Sequence, residues 1–333
     1  MDDIIIISND KVHISNGELS TNNNDTINLI DAIQSKFNIY LYSRKSYKRE
    51  NFKTNIFKFI KFLDLNFLKL KKLKSLKVFI ISLTPFNFFI YLSLFFFIKK
   101  KNIYLYLRSD GYKEYETKIG FIGYYIYDLM IKILSKSSKI ISVSKNIKSP
   151  KVNFILTPSE LSIDWLQNSK EIDCNTPKLL YVGRFKKEKG IYSLIDLLNE
   201  LPDKYQLTIV GNTKQTSIDQ KKINFKGQIY EINELIKTYD THNIFILPSF
   251  TEGAPKVILE CLARKRPVII FKEIKHVMSN YEGIFVSERN SDSLKNLIDY
   301  ILKNYKQIQT SINSNVLHLK KDFQAELLKI LDD

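Results

Sequence analysis

Short apolar runs alternate with amphipathic stretches along the whole chain. In the first half, Ile4–Ile7, Ile39–Tyr42, Val78–Leu83, Ile103–Leu107 and Lys139–Val143 are apolar runs bounded by polar or turn-forming residues. Such runs read as strands buried on both faces of a sheet. Between them Thr26–Phe37, Phe86–Ile98 and Gly120–Ser135 carry helical spacing. The second half repeats the design. Its strands are expected at Lys178–Val182, Gln206–Val210, Asn224–Lys226, Asn243–Leu247, Pro267–Phe271 and Gly283–Val286. Its helices are expected at Ile191–Leu201, Tyr230–Tyr239, Lys256–Leu262 and Ser291–Leu302, with a last helical segment over 307–331. Strand–helix alternation demands parallel sheets covered on both faces.

Residues 144–177 break the pattern, being polar and irregular, with Pro150, Pro158 and Pro177. The expected organisation is an N-terminal domain over 1–150, a linker over 151–177 and a C-terminal domain over 178–310. A final helix, 311–333, would pack back on the N-terminal domain. Each half is Rossmann-like, and two such halves make a cleft. Ligands in open α/β sheets bind beyond the carboxyl ends of the strands.

Charge changes the picture in one half only. The 333 residues carry 51 Lys or Arg and 35 Asp or Glu, a net charge of +16. Residues 1–150 hold 25 basic and 12 acidic residues, and residues 36–101 alone hold 16 basic and two acidic ones. In Asn55–Lys74, Phe and Leu recur at spacings of three and four with Lys between them. An amphipathic helix of that kind suits an anionic lipid interface. No groove-reading or RNA-binding signature accompanies the charge, so nucleic acid is not expected as a partner. Val78–Ile98 is uncharged, but Pro85 and Asn87 split it into a strand and a helix rather than a membrane span. The start, Met1-Asp2-Asp3, lacks the basic region of a signal peptide. Two distant cysteines, Cys174 and Cys261, exclude a disulfide scaffold and suit a reducing compartment. Four scattered histidines give no zinc-type spacing.

The candidate chemistry lies in the neutral half. In Leu180-Tyr-Val-Gly-Arg-Phe-Lys-Lys-Glu-Lys-Gly190 a strand ends at Gly183, followed by Arg184 and then Lys189 before a helix. Glycine permits close backbone approach, Arg offers a planar fork to phosphate oxygens, and Lys a point charge. The set suits a diphosphate. In Leu247-Pro-Ser-Phe-Thr-Glu-Gly-Ala-Pro-Lys-Val-Ile-Leu-Glu-Cys-Leu-Ala263, Pro255 suits a first helical turn. The Gly253 and Ala254 amides, at the helix start, can face an anion or a sugar oxygen. Glu260 interrupts an apolar helix face and needs a partner there. Ribose hydroxyls would serve; so would Lys256, one turn earlier. Arg264-Lys-Arg-Pro-Val-Ile-Ile270 then leads from helix into strand.

Through these residues the stretch 178–290 resembles the C-terminal domain of the family 4 retaining glycosyltransferases. The shared elements are Tyr181-Val-Gly-Arg184, Lys189-Gly190, Leu247-Pro-Ser249, Glu252-Gly253, Pro255, Val257–Glu260, Ala263 and Pro267–Ile269, with Glu252 and Glu260 in the family's spacing. The N-terminal half matches in architecture alone. The resemblance implies the GT-B fold, in which two Rossmann-like domains face each other across a cleft. It implies a UDP- or GDP-linked sugar donor. Arg184 and Lys189 would neutralise the diphosphate, Glu260 would bind the ribose, and Glu252, Gly253 and Ala254, with Gly183, would meet the rest of the donor. No metal or cofactor is implied.

The chain also departs from the family's pattern. Lys265 stands where a Gly is usual. The loop expected after strand one, His13-Ile-Ser-Asn-Gly-Glu18, has one glycine rather than a pair. The middle N-domain strand ends Leu107-Arg108-Ser-Asp-Gly111, without the family's histidine. Arg108 and Asp110 either serve the acceptor side with His13 or merely close the turn. His276 lies where the family often has a Glu near the donor sugar. His242 and His318 are expected to be structural or solvated, and Cys261 to be core.

The expected activity is retaining transfer of a sugar to a lipid-linked or membrane-attached glycan acceptor, at the cytoplasmic face of the cell membrane. A surface polysaccharide, capsule or lipopolysaccharide would be the product. The competing readings are a GT-B nucleotide-sugar epimerase and a non-catalytic nucleotide-sugar-binding or scaffold protein.

Overall fold

The computed structural model describes residues 1–15, 18–21, 24–46, 61–62, 76–95, 102–211, 221–278 and 281–332. The amphipathic stretch 55–74 lies outside them, apart from Lys61 and Phe62, which pair as a strand rather than a helix. The chain divides into two compact units, Met1–Pro158 with Lys320–Asp333, and Ser159–Leu319.

In the first unit the strands are β1 (Asp2–Ser15), β2 (Glu18–Thr21), β3 (Phe37–Ser46), β4 (Lys61–Phe62), β5 (Lys77–Ile81), β6 (Ile103–Leu107), β7 (Lys139–Ser142) and β8 (Phe154–Ile155). They lie in the order β4-β3-β1-β5-β6-β7-β8, all parallel, with β2 antiparallel to β1. The helices are α1 (Asn24–Ile33), α2 (Pro85–Leu94) and α3 (Gly111–Ser135). Ile4–Ile7 and Phe79–Ile80 are fully buried, as two covered faces require.

Strand β1 runs eight residues past the expected Ile7. The segment expected as a polar loop after it is a β1–β2 hairpin, with Val12 opposite Thr21 and His13 opposite Ser20. Its polar residues are extended because side chains satisfy them. Asp10 accepts 2.5 Å hydrogen bonds from the Ser8 and Thr26 hydroxyls, and the Ser43 hydroxyl donates to the Asp10 carbonyl at 2.5 Å. Helix α2 starts after Thr84, whose hydroxyl accepts from the Asn87 amide at 3.2 Å, with Pro85 in the first turn.

The second unit has β9 (Lys178–Val182), β10 (Gln206–Val210), β11 (Ile223–Gly227), β12 (Ile244–Leu247), β13 (Val268–Phe271) and β14 (Ile284–Ser287). Its helices are α4 (Ile191–Asn199), α5 (Ile232–Asp240), α6 (Lys256–Ala263), α7 (Ser291–Lys303) and α8 (Tyr305–Ile312). The final helical segment is interrupted by 313–319. Its last part, α9 (Lys320–Asp332), belongs to the first unit, where Lys320 pairs with Asp31 at 3.1 Å and Lys36 with Asp332 at 2.5 Å.

The second sheet is wholly parallel, in the order β11-β10-β9-β12-β13-β14. Winding therefore reverses between β9 and β12, and the crevice at their carboxyl ends is where such a sheet takes a ligand.

Most of the segment expected as a linker is docked. Phe154–Ile155 extends the first sheet, and Trp165 is buried against Tyr239 in the second core. Two buried arginines hold it there. Arg264 grips Asp240 with two bonds of 2.9 and 2.7 Å and donates to the carbonyls of Trp165, Gln167 and Asn168. Arg266 donates to the carbonyls of Lys170, Tyr239 and Asp240. Between them Lys265 adopts φ +56°, the left-handed turn that ends α6. A glycine is favoured at such a position because it has no Cβ to strain.

Replacing Asp240 by Ala leaves two buried guanidiniums without their carboxylate, and a loss of about 3–5 kcal/mol is expected in urea unfolding. Lys265→Gly should instead raise stability by about 1 kcal/mol in the same measurement.

Candidate active site

The loops after β9 and β12 meet at the reversal point because a glycine allows it. Gly190, at φ +67°, starts α4 so close to the second loop that a Cβ there would lie 1.8 Å from the Pro248 carbonyl oxygen. A Cβ at Gly211, after β10, would lie 1.9 Å from the Gly183 carbonyl oxygen. The Phe250 amide donates to the Glu188 carbonyl at 3.1 Å, which ties the loops again. Arg289, from the loop after β14, braces them from behind. It donates to the Pro248 carbonyl at 3.0 Å and to Glu273 at 2.6 Å, and its guanidinium stacks on Phe250 and Phe271 at 4.2 and 4.3 Å. The hydrogen bond from Arg289 holds the Glu273 carboxyl below its ordinary range.

This contact brings Lys189 and Glu252 together. The Lys189 ammonium lies 2.6 Å from Glu252 Oε1, and the Ser249 hydroxyl donates to the same oxygen at 2.6 Å. His276 Nε2 donates to the Glu252 carbonyl at 2.9 Å, so this histidine also reaches the loop. Glu252 is thus oriented by three partners. Lys189 retains further N–H donors beyond the one given to Glu252.

Arg184 is exposed just after β9, and the Tyr181 hydroxyl fixes its backbone by donating to its carbonyl at 2.9 Å. Burial pushes the Tyr181 phenol well above its ordinary pKa, so it stays a donor. Gly183 donates its amide to Val210. Gly253 and Ala254 lie just before α6, and their amides make no hydrogen bond to the described residues. Pro255 stands at the cap position, one residue earlier than expected.

Glu260 lies on α6, partly buried, and accepts from the Tyr239 hydroxyl at 2.7 Å. Lys256 ion-pairs with Glu160. Burial raises the Glu260 carboxyl from 4.5 to about 7; the Tyr239 bond and the Lys256 charge oppose the rise, and Glu160 adds to it.

In the first unit the expected residues divide. Arg108 follows β6 and donates to the Ser82 hydroxyl at 2.9 Å. Asp110 caps α3, accepting from the amides of Tyr112 and Lys113 at 3.0 and 3.3 Å. His13 lies in β1, its Nδ1 3.1 Å from the Ser46 carbonyl. His242 is buried between the Thr238 carbonyl and the Thr208 hydroxyl; burial lowers its pKa, and the bond to the Thr238 carbonyl opposes that shift. Cys261 is core.

Sequence reasoning missed Ser249, Arg289 and Ser82. Ser82, at φ +63° after β5, is held by Asn87, which donates to the carbonyls of Ile81 and Ser82 at 2.8 Å each. The one signal for it was a buried Asn in an apolar run.

Comparison with known proteins bears on this geometry. Residues 163–315 match the family Glycosyl transferases group 1. This segment contains Arg184, Lys189, Glu252 and Glu260. The putative teichuronic acid biosynthesis glycosyltransferase TuaC of Bacillus subtilis is 22% identical over 59% of this chain and 51% of its own. The capsular polysaccharide biosynthesis glycosyltransferase CapM of Staphylococcus aureus is 26% identical over 64% of this chain and 65% of its own. The chain thus spans between half and two thirds of these relatives. Among solved structures, Anabaena Alr3699/HepE in complex with UDP and glucose superposes over 100% of both chains with a TM-score of 0.69 at 12% identity. The fold is GT-B.

Glu260 should weaken the fold as pH rises. Its folded pKa lies above its unfolded value, so the unfolded chain ionises first. Stability is full below about pH 4.5 and falls, by on the order of 3 kcal/mol, until about pH 7. Glu260→Gln should remove that slope from thermal melts taken across this window.

Proposed function

We propose that this protein is a retaining, family 4 glycosyltransferase that takes its sugar from a UDP- or GDP-linked donor. The observation that carries the reading is the Lys189–Glu252 contact at the sheet-reversal point, where Gly190 lets the loops after β9 and β12 touch, with Arg184 just after β9 and Glu260 on the helix that follows β12. Arg184 and Lys189 face the diphosphate. Glu260 accepts from ribose hydroxyls, and Glu252 with the Gly253 and Ala254 amides meets the donor sugar. The UDP and glucose of the HepE structure support a nucleotide-sugar in this fold.

In the reaction, the bond from the anomeric carbon to the diphosphate oxygen breaks and its electron pair leaves with the diphosphate. Positive charge develops on the sugar as an oxocarbenium-like centre. The acceptor hydroxyl attacks on the face the diphosphate leaves and gives its proton to the departing phosphate oxygen, so configuration is retained. The protein's main contribution is cationic stabilisation of the leaving group. Arg184 and Lys189 supply that charge, so no metal or other cofactor is assigned a role.

The acceptor is a lipid-linked or membrane-attached glycan, met at the cytoplasmic face of an anionic membrane, and the product a surface polysaccharide such as capsule or lipopolysaccharide. The names of the TuaC and CapM relatives favour surface polymers. Nucleic acid is not a partner. Arg108 and Ser82, at the carboxyl ends of their strands, are the first unit's candidates for the acceptor side; His13 is a weaker one, and Asp110 is committed to its helix cap.

UDP or GDP should raise the melting temperature of the wild type, because a ligand bound to the native state stabilises it. Arg184→Ala and Glu252→Ala should each lower donor turnover by about 100-fold or more, read as nucleotide release. Full activity in either variant contradicts the site. Nucleotide binding without turnover in the wild type would instead indicate a binding protein.

A further inference from the structure

Helix α3 is apolar on two faces, and only one of them is used by the fold. Gly123, Tyr127, Met130, Ile131 and Leu134 face the core of the first unit. Phe121, Ile122, Tyr125 and Leu129 are 71%, 56%, 65% and 61% exposed, and Ile126 and Ile133 continue the same stripe. The spacing of three and four places them along one side of the helix. A contiguous exposed stripe of this size on a soluble fold marks a surface that meets another phase or molecule.

The helix is broken so as to present that stripe. Ile119 and Gly120 leave helical geometry, Gly120 at φ +68° with open space where a Cβ would stand. Ile119 and Phe121 therefore stand out at the corner, both exposed. Beyond the break the helix is about 22 Å long, less than the ~30 Å core of a bilayer. Among the described residues no helix is long and apolar enough to cross a membrane. The geometry suits a helix lying in an interface, with the amphipathic ring of Tyr125 at the headgroup level.

Charge selects the occupant. The helix itself is nearly neutral, with Lys113, Lys118, Lys132 and Lys136 against Glu114, Glu116 and Asp128, and Lys118 and Lys132 pair with Glu114 and Asp128; the charge belongs to the unit that carries it, whose first 150 residues hold 25 basic against 12 acidic residues. Two copies of so basic a unit repel, whereas an anionic surface attracts it. We propose that the outer face of α3 inserts shallowly into an anionic lipid surface, Phe121, Ile122 and Leu129 entering the acyl boundary, Tyr125 at the headgroup level and the basic unit drawn to the headgroups. The inference rests on the membrane-attached acceptor proposed above and names a surface for it, distinct from the basic stretch 55–74.

The test is flotation with vesicles of phosphatidylglycerol and phosphatidylcholine in equal parts, and with phosphatidylcholine alone. The full chain should float with the anionic vesicles and release in high salt. Ile122→Ser with Leu129→Ser should lower partitioning by about tenfold or more. This variant should keep the wild-type thermal melt and nucleotide affinity, since both positions are on the surface of the other unit. A separate Tyr125→Trp variant should show a blue-shifted emission when anionic vesicles are added. If the double variant floats as well as the wild type and the Trp does not shift, α3 is not the insertion surface, although the membrane reading survives. If the wild type does not float, that reading and this one both fail. A wild-type dimer that the double variant converts to a monomer, with no flotation, would make a second copy the occupant and overturn the proposal.

Discussion

The arrangement of the candidate site depends on one backbone contact. Where Gly190 meets the Pro248 carbonyl, no side chain fits, and no residue other than glycine adopts the φ without strain. That contact sets the loop after β9 against the loop after β12, which places the Lys189 ammonium on the Glu252 carboxylate. It exists because the sheet reverses its winding between those two strands, and it is supported by Arg289 from behind and by Gly211 beside it. Remove the close approach and Lys189 and Glu252 remain in the chain but not in contact.

The charges there suit the proposed partner, which is both anionic and rich in hydroxyls. A carboxylate held by Ser249 and Lys189 is costly to leave dry, and a lysine with spare donors attracts phosphate, as does an exposed arginine. Glu260, raised to about 7 by burial, is an acceptor short of donors, having one from Tyr239. In the proposed function, ribose is what supplies donors at that position. The net charge of the whole chain has little to do with this. It belongs mostly to the first unit, where exposed lysines border an apolar helix face, and there it bears on a surface rather than on chemistry.

Much of the framework could be read from the chain because its strands are buried on both sides and therefore written as uninterrupted apolar runs. Gln206–Val210 and Lys178–Val182 fall where the runs fall. What could not be read are features made by residues far apart in sequence. The Arg264–Asp240 clasp turns an apparent linker into part of the second core, and nothing local to residues 159–177 announces it. Strand β1 outruns its apolar residues because Ser8, Thr26 and Ser43 satisfy a polar stretch from the side. Lys265 ends a helix in a glycine's conformation. At the site, Arg184, Lys189, Glu252 and Glu260 were visible as residue types at a known spacing, while Arg289 and Ser249 act through loops whose meeting only the fold reveals. The stripe on α3 escaped notice for a related reason: an apolar helix in sequence does not say which of its faces is covered.

The central claim is that these loops hold a nucleoside diphosphate, and a crystal structure with UDP or GDP bound tests it most directly. The account predicts the diphosphate within hydrogen-bonding distance of Lys189 Nζ and the Arg184 guanidinium, with the ribose on Glu260. A nucleotide seated elsewhere, with Lys189 still closed on Glu252 and Arg184 untouched, would contradict it.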